Sequence, residues 1–478
     1  MMIPSIPTST ASADRDGTFR SAYLWLACSA GALGGLLFGY DWVVIGGAKP
    51  FYELYFHLDS RSIEGWAMSC ALIGCLVGAV SSGGLSNRFG RKRLLTLAAL
   101  VFAVSSLGTG LAANFSAFVA WRMLGGYAIG LASGISPMYI SEISPAHLRG
   151  RLVSLNQLAI VIGILLAQVV NWLIARPVPP GATAHEILVS WNGQWGWRWM
   201  FAVTAIPSLL FLAATFLVPE SPRWLAAKGR NRQALQVLER LGGRAYAEHV
   251  LEDFATASLS ESHNSLFAEL SSPGMATVLF LGVALAVLQQ WCGINVIFNY
   301  AQEIFAAAGY QISGILFNIV ITGVVSLVFT LVALATIDRY GRRFLLLFGV
   351  SGLALIYTVL GTFYRLHVQG MPMLVLVLAA MACYSMSLAP VVWVVIAEIF
   401  PNRIRGGAMS IAVTALWTAC FVLTYTFPSL NAALGTSGVF WTYAAICIAG
   451  LLLIYFRLPE TKGKTLEEIE TNLRKGKL

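Results

Sequence analysis

The stretch "SEISPAHLRG" at residues 141–150 returns about 250 residues later as "AEIFPNRIRG" at residues 397–406. In both copies a glutamate at the end of a long apolar run precedes an arginine by seven residues. Two other pairs recur in the same order: "RFGRK" at 88–92 with "RYGRR" at 339–343, and "PESPRW" at 219–224 with "PETKGK" at 459–464. This repetition indicates that the chain contains two similar halves.

The composition indicates that these halves lie in a lipid bilayer. Of the 478 residues, 57% are hydrophobic and 11% are charged, whereas about a quarter of a soluble domain is charged. A helix needs about 20 apolar residues to cross a membrane. The sequence predicts twelve such spans, at 22–48, 63–86, 94–113, 115–140, 152–174, 196–218, 275–300, 312–336, 344–364, 372–397, 408–430 and 437–456. We therefore expect an all-α membrane protein with twelve transmembrane helices in two six-helix halves.

The repeat also predicts the domain organisation. The expected segments are a disordered cytoplasmic N-terminus at 1–20, an N-terminal six-helix half at 21–218, a cytoplasmic helical linker at 219–273, a C-terminal six-helix half at 274–458 and a cytoplasmic tail at 459–478. In the linker, Leu225, Leu235, Leu238 and Leu241 recur at helical spacing. This spacing favours short helices on the membrane face over the alternative, a flexible linker.

The positions of the charges argue against a nucleic-acid partner, although the formal net charge is +9. Basic residues cluster in the loops after spans two, four, eight and ten and in the tail, and the other side carries few of them. Loops rich in basic residues are typical of the cytoplasmic side of a membrane protein, so we expect these loops and both termini to lie in the cytoplasm. The first apolar run is too long for a signal peptide and follows charged residues. A multi-pass protein of a cell membrane, such as a bacterial inner membrane, is expected.

Cysteines and histidines indicate neither a metal nor a cofactor. The seven cysteines lie within or at the edges of spans without a CxxC pair, and the six histidines lie in loops or at span ends. No histidine therefore joins a carboxylate within the bilayer, which disfavours a metalloenzyme or haem protein. The sequence predicts no catalytic residues, no metal ligands and no cofactor.

An ionisable pair is predicted inside the membrane. Asp41 lies seven residues before the outer end of span one, and Arg122 lies seven residues after the start of span four. At 1.5 Å per residue, both lie about 10 Å below the outer surface. Opposite charges at one depth can share the cost of leaving water. The alternative to a functional pair is a static structural one.

Polar and aromatic side chains within the spans form a candidate substrate site. They are Gln157, Gln289, Gln290, Asn295, Trp393 and Trp417. Amides both donate and accept hydrogen bonds, and so match sugar hydroxyls without a charge. Indole rings offer flat faces for the C–H face of a sugar. The alternatives are hydrogen bonds between helices for the amides and ordinary packing for the tryptophans.

The chain resembles the sugar porter family of the major facilitator superfamily over nearly its whole length. The motifs that carry the resemblance are "GGLLFGYD", "NRFGRK", "RMLGGYAIGLASGISPMYISEISPAHLRG", "PESPRWL", "QQWCGIN", "DRYGRR" and "AEIFPNRIRG". The resemblance implies twelve helices, alternating access and monosaccharide transport. It implies that Phe38 and the amide and tryptophan positions above bind the sugar. It also implies that Asp41 and Arg122 form the protonation site of proton-coupled members, whereas many facilitative members have an asparagine in place of the aspartate.

The candidate pocket departs from the family's pattern at several positions. The departures are Asn299 for the first of two paired tyrosines, Ser326 for an asparagine, Leu416 for a polar residue and Ala389 for a glycine. Asn299 is still placed among the sugar-binding candidates. The departures change the shape of the pocket, so the particular sugar is not predicted.

The repeated loop motifs predict a cytoplasmic gate. Its expected members are Arg91, Glu142, Arg149, Arg342, Glu398 and Arg405. Ion pairs between the halves would hold the cytoplasmic side shut and break when it opens, which biases a two-state equilibrium without contact to the substrate. Asn87 stands where the family often has an aspartate, which alters one interaction of the first copy. The alternative is that the basic residues only set the topology, which would not require the glutamates.

Three kinds of function are open to such a chain. A proton-coupled symporter for a hexose or pentose is favoured, working as a monomer with sugar, proton and lipid bilayer as its partners. A facilitative uniporter, or a sugar sensor, would share the fold and the pocket. A membrane-embedded enzyme would need a nucleophile or metal constellation within the spans, and the sequence has none.

Overall fold

The computed structural model describes residues 21–145, 148–260, 273–400, 405–460 and 462. Within these ranges the regular elements are helices, and no β-strand occurs. The predicted disordered N-terminus at 1–20 and most of the predicted tail at 459–478 lie outside the described residues.

The first half begins with five long helices. They are α1 (Ser21–Phe56), α2 (Arg61–Phe89), α3 (Arg91–Gly110), α4 (Phe115–Ile143) and α5 (Arg149–Ile174). The Ser60 and Asn114 side chains accept backbone N–H bonds at the starts of α2 and α4, as N-cap residues do. The last span of this half is divided: α6 (Ala184–Val189) precedes a π-helical turn at Asn192–Gly196, which leads into α7 (Trp197–Ala202) and α8 (Ala205–Leu217).

Helices occupy the described part of the segment between the halves. They are α9 (Pro222–Ala227), α10 (Asn231–Gly242) and α11 (Arg244–Ser260). Ala234, Leu238 and Leu241 are the buried face of α10. The helical interpretation of this segment is therefore confirmed up to Ser260, and residues 261–272 lie outside the described ranges.

The second half follows the same plan as the first. Its helices are α12 (Pro273–Trp291), α13 (Ile294–Asn299), α14 (Ala301–Ala307), α15 (Ile312–Tyr340), α16 (Arg342–Arg365), α17 (Met371–Met386), α18 (Leu388–Ile399) and α19 (Arg405–Arg457).

The last helix, α19, contains two spans. Its 53 residues would extend about 80 Å at 1.5 Å per residue, whereas the hydrocarbon core of a bilayer is about 30 Å thick. Gly435, with φ 67°, interrupts it. Eleven helices in the described ranges are long and apolar enough to cross a membrane, and with α19 counted as two they correspond to the twelve predicted spans.

In the second half, two more spans that were predicted as continuous are broken, as the span at 196–218 is in the first half between Ala202 and Ala205. The span at 275–300 is divided between Trp291 and Ile294, because Gly293 takes a left-handed φ of 88°. The span at 372–397 is divided at Ser387, between α17 and α18. Hydropathy does not reveal such breaks, because one glycine or serine hardly changes the mean over a span. The break at Gly293 shapes the candidate sugar site described below.

Glycines allow the helices of the first half to pack closely. A Cβ atom at Gly39 of α1 would overlap the backbone carbonyl of Ile160 in α5, and one at Gly74 of α2 would overlap that of Met123 in α4. Small residues at such crossings let helix backbones approach one another in a membrane. This packing holds α1, which carries Asp41, against α5, and α2 against α4, which carries Arg122.

The two halves meet at one end of the bundle. We call this the Lys49 end, and the opposite end, where α3 begins, the Arg91 end. At the Lys49 end the backbone N–H of Val178 donates to the Ser313 hydroxyl at 3.1 Å, and Gly65 of α2 faces the backbone of Tyr425 in α19. The halves are thus closed against each other at the Lys49 end.

Candidate functional site

The predicted intramembrane pair is present. One guanidinium nitrogen of Arg122, Nη1, lies 2.8 Å and 2.9 Å from the two carboxylate oxygens of Asp41. Asp41 is 5% exposed and Arg122 is 4% exposed. The Arg122 guanidinium also lies 5.3 Å from the centre of the Phe201 ring. The equal depth that was counted from the sequence therefore corresponds to a direct contact.

A small cavity adjoins this pair and reaches the other half. Its volume is about 20 Å³, and its lining includes Asp41, Arg122, Trp42, Cys75 and Asn299. A cavity of this size has room for about one water molecule. In the described part of the chain, neither Asn299 Oδ1 nor Arg122 Nε has a hydrogen-bond partner. The cavity thus joins the ionisable pair of the first half to Asn299, a candidate sugar-binding residue of the second half.

The break in the seventh span brings the predicted amides together. Asn295 Nδ2 donates to Gln290 Oε1 at 2.5 Å, and Gln290 Nε2 donates to Gln289 Oε1 at 3.4 Å. On a continuous helix, residues five apart lie on neighbouring faces, but the left-handed turn at Gly293 redirects the chain. The result is a connected row of three amides, all of them buried.

The row of amides is anchored to the tenth span. Gln289 Nε2 donates to the backbone carbonyls of Leu388 and Ala389, each at 3.2 Å. Both carbonyls belong to the first turn of α18, which begins at Leu388 after the interruption at Ser387. Trp393, further along α18, is half-buried. Gln289 therefore holds two broken spans together, while Gln290 and Asn295 form the rest of the row.

Aromatic rings close the space between the halves. The ring of Trp417 lies 5.7 Å from that of Phe38 and 6.1 Å from that of Trp42, distances that are typical of aromatic contacts. Trp42 was not predicted, although it directly follows Asp41. Gln157 is half-buried, and none of the described hydrogen bonds involves its side chain. The structure thus connects Phe38 with Trp417 and leaves Gln157 without a described contact to the amide row.

The first gate motif forms a network at the Arg91 end. Arg91 Nη2 lies 2.9 Å from Glu142 Oε1, and the Ser221 hydroxyl donates to Glu142 Oε2 at 2.5 Å. Glu220 Oε1 accepts the backbone N–H of Arg91 at 2.9 Å. Asn87 Oδ1 accepts from Arg91 Nη1 at 3.4 Å, so the asparagine keeps a contact with the arginine. The "PESPRW" motif therefore caps α3 and joins the Arg91–Glu142 pair.

The second copy repeats this network. Arg342 Nη2 lies 3.1 Å from Glu398 Oε1, and Glu460 accepts the backbone N–H groups of Arg342 and Arg343 at 3.0 Å and 3.1 Å. Each of these capped helices follows a glycine with positive φ, Gly90 at 97° and Gly341 at 89°. The repeat in the sequence is thus a repeat of one contact pattern.

The pairing within these networks differs from the predicted gate. Both ion pairs join helices of the same half, and none described at the Arg91 end joins the two halves. Arg149 does not pair with Glu142 but donates from Nε to the Ser141 carbonyl at 3.2 Å. The side chain of Arg405 lies outside the described residues. Sequence spacing could not reveal these partners, because the glutamates reach arginines of neighbouring helices. A gate between the halves remains a prediction.

Sequence reasoning missed a charged cluster at the Lys49 end. The Lys49 ammonium lies 3.0 Å from Glu53, 2.7 Å from Glu64 and in contact with Glu303, and we call these four residues the Lys49 cluster. Lys49 is 2% exposed, and its ammonium lies 5.4 Å from the centre of the Tyr300 ring.

The Lys49 cluster joins the halves, because Glu303 lies on α14 and the other members lie on α1 and α2. Burial raises the pKa of the Glu303 carboxyl, and Lys49 opposes this shift. The four-residue spacing of Lys49 and Glu53 was the only signal of the cluster in the sequence.

Comparisons with known proteins extend over the whole bundle. The chain matches the family described as "Sugar (and other) transporter" over residues 27–473. It is 38% identical to the D-xylose-proton symporter of Escherichia coli (strain K12), with 95% of this chain and 96% of that protein covered. It is 39% identical to the glucose transport protein of Synechocystis sp., with 96% of this chain and 99% of that protein covered.

A solved structure shows the same likeness in three dimensions. A partially occluded inward open conformation of the xylose transporter XylE from E. coli aligns with a TM-score of 0.81 at 36% sequence identity. The alignment covers 93% of this chain and all of that chain. Both halves and the segment between them therefore have counterparts in a solved transporter.

Proposed function

This chain belongs to the sugar transporter family of the major facilitator superfamily, and from that premise we propose that it carries a monosaccharide, a hexose or a pentose, together with a proton. It is a multi-pass membrane transporter with the twelve-helix major facilitator fold, and not an enzyme. The observation that supports proton coupling is the buried Asp41–Arg122 pair beside the water-sized cavity.

Asp41 is the proposed proton carrier. In its ionised form it holds Arg122 through both oxygens, and so ties α1 to α4. A proton on the carboxylate removes the charge that binds the guanidinium, and the two helices then become free to shift. A water molecule in the adjoining cavity would give the proton a path toward Asn299. Coupling follows if only the protonated, sugar-loaded form or the empty, deprotonated form crosses readily between the two open states.

The amide row and the aromatic rings are the proposed sugar site. Gln290 and Asn295 present donors and acceptors that can exchange their mutual bond for bonds to sugar hydroxyls. Phe38 and Trp417 lie across the boundary between the halves, and so can pack on a sugar from both sides. We place Gln157, Gln289 and Trp393 in the same site on the strength of the family resemblance, and Asn299 because it lines the cavity beside Asp41.

We further propose that the Arg91 end faces the cytoplasm, in a bacterial inner membrane, with both chain termini on that side. The basic loops at this end support the orientation. The Lys49 end, which is closed here, would then face outward, so the structure would correspond to an inward-facing state. We also propose a monomer as the working unit, and the division into segments 1–20, 21–218, 219–273, 274–458 and 459–478.

Purified protein in proteoliposomes tests the proposal. Sugars from a panel of hexoses and pentoses are added outside while a trapped dye reports the internal pH. We expect acidification inside only with the transported sugar, at a rate that follows its uptake. Uptake of sugar without any pH change would instead identify a facilitator, a function that the name of the glucose transport protein leaves open. The absence of uptake for every sugar would contradict the proposal.

A further inference from the structure

A second cavity lies away from the sugar site, at the Arg91 end. Its volume is about 560 Å³, which is within the range of ligand sites. It lies between the start of α3, the end of α8 and one face of α10. Gln233, Gln236 and Arg240 line it from α10. Because the buried residues of α10 lie on another face, this polar face is turned toward the cavity.

The charges around this cavity are strongly unbalanced. Its lining contains four cationic side chains, Lys92, Arg93, Arg230 and Arg240, and one carboxylate, Glu220. That carboxylate already accepts backbone N–H groups of Arg91, Lys92 and Ser221. No ion pair is described for the four cations, and three of them, the arginines, are exposed. The Lys92 ammonium donates to the Phe216 carbonyl at 3.4 Å, so the three exposed arginines are the donors that the cavity offers to an anion.

The position of the cavity indicates which anion it fits. Phe216 lines the cavity and is 66% exposed. Leu97 and Leu100 continue an exposed apolar surface along α3, as expected for side chains in contact with lipid. A ligand with a phosphate in the cavity could therefore lay an acyl chain along α3 and α8. Arginine and lysine side chains bind phosphate oxygens through charge-assisted hydrogen bonds.

We propose that this cavity binds the headgroup of an anionic phospholipid. The phosphate would bridge Arg93 of α3 and Arg240 of α10, and so fasten the helical segment to the first half. Through Glu220 and Ser221 the site adjoins the Arg91–Glu142 pair, so its occupancy would stabilise the network at the Arg91 end. This site is separate from the sugar and proton sites proposed above.

Native mass spectrometry of the purified full-length protein tests this site. Phosphatidylglycerol is the probe, phosphatidylcholine is the zwitterionic comparison, and sn-glycerol 3-phosphate is the soluble one. We expect bound phosphatidylglycerol with a raised unfolding temperature, and a fall in its affinity of about tenfold or more in Arg93→Gln/Arg240→Gln. The matched control, Lys228→Gln/Arg232→Gln, also removes two positive charges from exposed positions, but outside the cavity lining, and should bind as the unmodified protein does.

A second variant keeps the test decisive if the arginine variant does not fold. Gln233→Glu/Gln236→Glu changes two exposed amides to carboxylates of nearly the same size, and should repel the lipid while sugar binding persists. Equal loss in the control variant would mean diffuse attraction to a basic surface, and would overturn the proposal. Unchanged binding in both cavity variants would also overturn it. Binding of glycerol 3-phosphate as tight as that of phosphatidylglycerol would contradict a lipid ligand.

Discussion

Asp41 directs both carboxylate oxygens to a single nitrogen of Arg122. Such a buried pair is stable only while both charges are present, because an isolated buried charge is costly. Protonation of Asp41 therefore weakens the contact between α1 and α4 more than protonation of a surface carboxylate would weaken a contact at the surface.

We predict that Asp41→Asn abolishes uphill sugar accumulation driven by a pH gradient, because asparagine imitates the protonated carboxyl and cannot release a proton. Sugar exchange should persist, since it needs no net proton movement. Uptake and counterflow in proteoliposomes measure the two activities. Asp59→Asn, at an exposed position, is the matched control and should keep both. Accumulation by Asp41→Asn equal to that of the unmodified protein would make the pair structural.

The amide row allows a separate prediction for the sugar. Asn295→Ala and Gln290→Ala should each weaken sugar binding by about 1–3 kcal/mol, because a buried partner is lost. Isothermal titration measures the affinity. Asn192→Ala is the control, since Asn192 is a buried amide whose described hydrogen bonds both go to the backbone of Arg176, and its loss should affect stability without affecting affinity. Normal affinity in both pocket variants would place the sugar elsewhere.

Among the helices, α2 contains glycines in two contrasting surroundings. Gly74 lies against the backbone of α4, whereas Gly84 has open space where a Cβ would point. The first position sets how closely α2 and α4 approach, and thereby where Arg122 lies relative to α1.

We predict that Gly74→Ala lowers stability by about 1–3 kcal/mol, because the added methyl group forces the helices apart. Gly84→Ala, in the same helix, should be neutral or slightly stabilising, since alanine favours helix. Thermal unfolding of the purified proteins, followed by tryptophan fluorescence, measures the difference. Equal unfolding temperatures for the two variants would show that this close approach does not limit stability.

The arrangement of the two halves depends on contacts that neither half can make alone. The Lys49 cluster joins them through Glu303, whereas the ion pairs at the Arg91 end stay within each half. The closed end is thus the one with charges shared between the halves.

We predict that Glu303→Gln shifts the population toward states that are open at the Lys49 end, because Lys49 loses its partner in the other half. Labelling of Ile45→Cys, which lines the small cavity, with an impermeant maleimide should become several times faster, as expected for a loss of about 1–3 kcal/mol. Glu53→Gln is the control, since it removes a charge from the same cluster without touching the contact between halves. Equal labelling in the two variants would assign the closure to other contacts.

The sequence by itself determined the number of spans, their division into two repeats and the pairing of Asp41 with Arg122. These properties follow from apolar length, motif order and depth in the bilayer, which are all local or additive along the chain. Only the tertiary structure decided that Gly293 breaks the seventh span and brings Asn295 onto Gln290. It also decided that Glu142 and Glu398 pair with arginines of neighbouring helices, and that Lys49 meets Glu303 across the halves. The physical reason is that a polar or charged side chain pairs with the partner nearest to it in space. Helix packing sets that distance, and spacing along the chain does not specify how the helices pack.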